Sequence, residues 1–99
     1  MDLRTQIDEK YKIVFKSKNT LEITTLKLIR SAIKYKDIEN RSAGYNEPIN
    51  DQQIIRVLQN LVKQRKDSIE SFKLANRNDL VEKETKEIEI INHFLPKQL

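Results

Sequence analysis

One glycine and two prolines in 99 residues leave this chain very few places to turn. A sheet of short strands needs such punctuation every several residues. Its scarcity therefore favours a few long helices. The length supports one domain with one modest core, so residues 1–99 are read as a single helical domain.

Caps and apolar period divide the chain into four helices, over about residues 2–16, 20–40, 51–75 and 79–95. In the first, Leu3, Ile7, Tyr11 and Val14 recur on one face, and "SKN" then interrupts the pattern. The second opens on "NTLE", with Asn19 as N-cap and Glu22 in the capping-box position. Its buried face is read as Leu21, Thr25, Leu28, Ile29, Ala32 and Ile33. "RSAGYNEPI" is the clear loop, since it holds the single glycine and Pro48 disfavours helix at Glu47. Asn50 caps the third helix with Gln53 as box partner, and Ile54, Leu58, Leu61, Arg65, Ser68, Phe72 and Ala75 follow along its stripe. After the short turn "NRND", Asp79 is the expected cap of the fourth helix, with Glu82 three residues on. Its stripe is Leu80, Glu84, Ile88, Ile91 and Leu95, and Pro96 is expected to end it. The last two connections are short enough to make the second, third and fourth helices antiparallel neighbours, in an all-α, bundle-like arrangement. The first helix, joined through "SKN", can pack on its own bundle or on a neighbouring molecule.

The residue inventory limits the chemistry. Without cysteine there is no disulfide, thiolate metal site or cysteine nucleophile. His93 is the single histidine, so neither a histidine pair nor a Ser/His/Asp set can form, and it is read as a helix-end residue. Glu82, Glu84, Glu87 and Glu89 alternate with Lys83 and Lys86, the usual make-up of a solvated helix face rather than an acid–base pair. No glycine-rich loop cradles phosphate. No metal and no cofactor is expected. No apolar run approaches a membrane span, and the acidic N-terminus resembles neither a signal nor a transit peptide, so no membrane partner is expected. The composition suits the cytoplasm, with an organelle left open.

Charge is the remaining lead. The net charge is +4, and residues 1–66 carry 14 Lys/Arg against 8 Asp/Glu. Lys27, Arg30, Lys34 and Arg41 fall within an arc of about 60° on the second helix, opposite the face read as buried, with Asp37 interrupting it. Arg56 and Lys63 point away from the core on the third helix. These six residues are the candidate polyanion surface, whose phosphate contacts would be salt-sensitive and sequence-neutral. Arg65 differs, because it lies in the middle of an apolar stripe. A cation there needs a partner, and Glu84 in the middle of the facing stripe is the expected one, with Glu87 the second choice. Tyr45 is the one ring expected to be exposed; Tyr11 and Phe72 are placed in the core.

"TLKLIRSAIKYKDIENR", "KQRKDSIESF" and "ANRNDLVEKETKEIEIINHFLP" together resemble the second, third and fourth helices of the YqeY family, over about residues 3–99. "ANR" stands where the family more often has A-G-R, so Asn76 is expected to take the left-handed conformation. The family is similar to a C-terminal helical region of the glutamine-dependent aspartyl/glutamyl-tRNA amidotransferase. The resemblance implies an accessory helical module linked to tRNA or to tRNA-dependent amidation. It also implies carbon–nitrogen ligase activity with glutamine as amide donor, but only by inheritance from the larger enzyme, because this chain holds no residues to support it. Members usually continue into a small C-terminal lobe, so residues 1–99 correspond to the N-terminal lobe. The expected function is a non-catalytic module that contacts tRNA, the alternative being a protein-interaction module that docks through its first helix or the Tyr45 loop.

Overall fold

Four helices organise residues 2–96, the part of the chain that the computed structural model describes. They are α1 (Leu3–Phe15), α2 (Thr20–Ser42), α3 (Asp51–Leu74) and α4 (Asn78–Asn92). The first three begin at side chains that accept from otherwise orphan amides. Asp2 accepts from the Thr5 N–H and Asn19 from the Glu22 N–H. Asn50 and Gln53 complete a reciprocal capping box. The box expected at Asn19 is half made, since the Asn19 N–H donates to Ser17 Oγ instead.

The helix ends explain where so few glycines suffice. At the end of α2, Gly44 takes φ 97°, its N–H donates to Arg41 O, and the Tyr45 N–H reaches back to Asn40 O. Asn76 does the same work after α3 at φ 58°, with its own N–H on Lys73 O and the Arg77 N–H on Phe72 O. Both are Schellman turns, one built on Gly and one on Asn. Lys18, at φ 64°, turns the chain between α1 and α2.

Two expectations about α4 need correction. Asp79 is not its cap: the helix starts at Asn78 without a side-chain cap, and Asp79 pairs with Arg77, whose guanidinium lowers the Asp79 carboxyl below its usual range. The helix also ends at Asn92, short of Leu95. Phe94 and Leu95 close tighter turns onto Ile91 O and Asn92 O, and this swings Phe94 into the core ahead of Pro96.

The core runs through all four helices. Ile7, Leu26, Ile29, Ile54, Leu58 and Ile91 are essentially inaccessible, and each such side chain contributes about 1.5–3 kcal/mol by burial. Leu28, placed inside by sequence, is 40% exposed, whereas Leu26 is fully buried. The buried face of α2 is therefore rotated by roughly 70° from the one expected. The cause is α1, which lies along the flank of α2 that carries Leu26, Ile33 and Asp37.

Asp37 is accordingly not a break in a solvated arc. It is buried, and its carboxylate receives Arg4 Nη1 and Nη2, both at 3.0 Å, and the Ile49 N–H at 2.9 Å. Arg4 also donates to Ile49 O, and the Leu3 N–H reaches Asp51 Oδ1. One carboxylate thus joins α1, α2 and the entry to α3, and α1 packs on its own bundle. Burial pushes the Asp37 carboxyl up, but the Arg4 and Ile49 hydrogen bonds together hold it below the ordinary 3.8. Its contribution is therefore present above that pH and is lost as pH falls through the lowered value. In urea unfolding at neutral pH, Asp37→Asn should cost roughly 2–4 kcal/mol, because Arg4 loses its counter-charge. That deficit should shrink as pH is lowered below about 3.8; a deficit independent of pH would mean that the charge is not what matters.

Candidate functional site

The charged residues sort into a buried set and a free set. Arg65 heads the buried set, at 9% exposed in the seam between α3 and α4. Its Nε donates to Glu87 at 3.0 Å and lies 3.8 Å from Glu84, while Nη1 donates to Leu61 O. The shorter contact goes to Glu87, which sequence ranked second. Glu84 sits in the expected stripe but is the more exposed of the two carboxylates. Glu87 is one helical turn closer to the Arg65 head, because the long guanidinium stem reaches away from its own Cα.

The other carboxylates of α4 are also occupied or set apart. Glu82 holds Lys86 at 3.1 Å. Glu89 lines a small cleft with Lys10, Glu22 and His93. The His93 ring lies edge-on against Phe94. Among the described residues, no group of three His, Asp or Glu side chains is placed to hold a metal ion. No described helix is long and apolar enough to cross a membrane.

Of the six cations singled out by sequence, the structure distinguishes one from the rest. Arg30 donates to Asp8 at 3.1 Å and stacks over the Tyr11 ring at 4.4 Å from its centroid. It serves to hold α1 against α2. Lys27, Lys34 and Arg41 are exposed and have no ion-pair partner among the described residues. They succeed one another every seven residues, so they form one edge of α2 about 21 Å long. Lys27 and Lys34 rim a cleft of about 440 Å³, shared with Arg4, Asp8, Arg30, Ser31, Ile33 and Asp37. Arg56 and Lys63 on α3 are exposed as well. Lys63 lines a different groove, of about 690 Å³, with Lys66, Gln59, Val62 and the Asn92–Pro96 turn. The six therefore do not converge on one point: three share the α2 edge, one is tied to α1, and two belong to α3. The pairing of Arg30 has a faint sequence signal, since Asp8 and Tyr11 lie one turn apart on α1. Nothing in the sequence states that this face of α1 meets α2.

The arrangement defines an all-α helical module with its buried charges paired and a row of free cations on one helix. The chain belongs to the YqeY-like protein family, whose model matches residues 4–99. It is 41% identical over 80 residues to the altered inheritance of mitochondria protein 41 of Lachancea thermotolerans, covering 80% of this chain and 40% of that one. The corresponding protein of Kluyveromyces lactis is 37% identical over 78 residues, 79% of this chain and 40% of its own length. An uncharacterized protein of Schizosaccharomyces pombe is 36% identical over 97 residues, 97% of this chain and 74% of its own length. The chain thus spans well under half of the two mitochondrial relatives.

The Arg65 geometry generates a stability test. Arg65→Ala leaves Glu84 and Glu87, neighbours on α4, without their counter-charge in the α3–α4 seam, and should cost about 3–5 kcal/mol in chemical denaturation. The triple variant Arg65→Met, Glu87→Leu and Glu84→Gln should recover to within about 1 kcal/mol of the parent, since an apolar pair replaces the buried charges and no carboxylate is left without its cation.

Proposed function

We propose that this chain is a non-catalytic helical accessory module that binds RNA through its phosphate backbone, with tRNA the first candidate. The observation that carries the reading is the edge of Lys27, Lys34 and Arg41, three exposed cations without ion-pair partners among the described residues, in register along one helix. Paired surface charges gain little from a new anion, but unpaired ones release counterions when they meet phosphate. The resemblance to a tRNA amidotransferase region supplies the class of RNA. A non-catalytic role is supported by where the acids go: Asp37, Glu84 and Glu87 are committed to arginines that hold the bundle together. Carbon–nitrogen ligase activity belongs, on this reading, to the larger enzyme alone. For location, the mitochondrial names of the relatives support an organelle beside the cytoplasm expected from composition. The alternative, a protein-interaction module, draws support from apolar side chains in solvent, including Ile13 at 67%, Phe15 at 58% and Tyr45 at 67% exposed.

Titration of labelled tRNA by fluorescence anisotropy, at low and at moderate salt, tests the RNA reading. Charge reversal of Lys27, Lys34 and Arg41 together should weaken binding at least about tenfold and flatten the slope of log K against log salt by about 2–3. Arg30→Gln should change affinity less than about threefold, because that guanidinium is already held by Asp8. No binding at low salt, or binding indifferent to the triple reversal, removes the proposal.

A further inference from the structure

The outer face of α2 carries more than cations. Leu21, Leu28 and Tyr35 recur every seven residues, and Thr24, Ser31 and Ile38 follow each by three. That is a heptad seam over about 26 Å. Leu28 is 40%, Ile38 49% and Tyr35 69% exposed, and none of the three joins the hydrophobic cluster of the bundle. The rotation of the buried face toward α1 is what leaves this seam uncovered.

We infer that this seam docks an acidic amphipathic helix from a protein partner. Charge selects the occupant. Lys27 and Lys34 stand just before Leu28 and Tyr35, and Arg41 takes the same flanking position one heptad on, so the open border of the seam is cationic from Leu28 onward. The opposite border is closed or occupied: Thr25 is buried, Ala32 is half-buried, and Glu39 holds Lys36 at 2.9 Å. A second copy of this chain fits poorly. Antiparallel pairing would set the three cations of one copy against those of the other, and parallel pairing would need the border that lies under the bundle. A helix with leucine-like residues on its seam and glutamates on its flank satisfies both the apolar row and the cations. Tyr35 is its natural anchor, with the ring against the partner's seam and the hydroxyl at the wet rim. Such a helix would take up the cations proposed to meet phosphate, so the two ligands exclude each other.

The test uses the whole chain and a fluorescein-labelled 21-residue amphipathic peptide with leucines on its seam and glutamates on its flanks. A peptide with the same seam and lysine flanks is the control. Anisotropy should show saturable binding of the glutamate peptide and at least tenfold weaker binding of the lysine peptide. The neutral double variant Leu28→Ser with Tyr35→Ser, both positions exposed, should keep its thermal melt, lose at least tenfold in peptide affinity and change tRNA affinity less than threefold. Peptide binding without any tRNA binding supports the docking seam and removes only the RNA reading. The docking proposal is overturned by absent peptide binding, by equal binding of both peptides, or by indifference to the double variant. It is also overturned if the double variant abolishes tRNA binding, or if sedimentation shows self-association that the double variant prevents.

Discussion

The carboxylate of Asp37 is the constraint on which the arrangement of the other parts depends. It accepts three hydrogen bonds, two from Arg4 on α1 and one from the backbone at Ile49, just before the α3 cap. Each bond fixes a different segment. The Arg4 fork sets the position of α1 along α2, and the Ile49 bond sets where the long loop ends and α3 begins. Ile49 itself is buried, so the same contact that satisfies its N–H places an apolar side chain in the core. With α1 so placed, Leu3, Ile7 and Val14 cover one flank of α2, and Asp8 and Tyr11 come within reach of Arg30. The surface of α2 available to ligands is what remains after that docking.

A second constraint separates charges that serve the fold from charges that do not. Arg65 and Glu87 are both nearly inaccessible and satisfy each other across the α3–α4 seam. A buried pair of this kind adds little net stability over an apolar pair, but it makes other registers of the hairpin costly, since either partner left alone is a bare buried charge. The exposed cations Lys27 and Lys34 carry no such obligation, and Arg41 acts on the buried Asp37 only at a distance, through its charge. The three form no ion pair among the described residues, and this is what makes them available to an outside anion.

The helices and their turns are legible in the sequence because they are written locally. Asn50 with Gln53, and Asn76 in the left-handed turn, act within a few residues of themselves. Arg65 is legible for a different reason: a cation inside an apolar stripe is conspicuous wherever its partner lies. The choice between Glu84 and Glu87 is not, since it depends on how far a guanidinium stem extends between two packed helices. The phase of α2 is hidden because apolar residues occur on both sides of that helix, and a count of them cannot tell a face covered by α1 from a face covered by nothing. Asp37 is hidden by the same ambiguity, because its partner lies 33 residues away on an element whose docking no local pattern states. The early end of α4 is equally hidden, because Pro96 gives the last permitted helical position, not the place where Phe94 must turn inward.

The ambiguous phase of α2 points to the physical content of the helix. A bundle element needs one apolar arc, and Leu26, Ile29 and Ile33 supply it. Leu28, Tyr35 and Ile38 add a second arc that buries little in this chain, at positions where alanine, lysine or glutamate would favour the helix and solubility more. Single exposed apolar residues are ordinary on protein surfaces and call for no account. Three in heptad register, bordered on one side by three cations in the same register, are an ordered pattern of two chemistries on one face. Neither the hydrophobic cluster of the bundle nor its buried ion pairs draw on that pattern. The reason for the pattern therefore has to be sought in what the face meets outside the bundle, and a phosphate backbone alone would account for the cations but not for the seam.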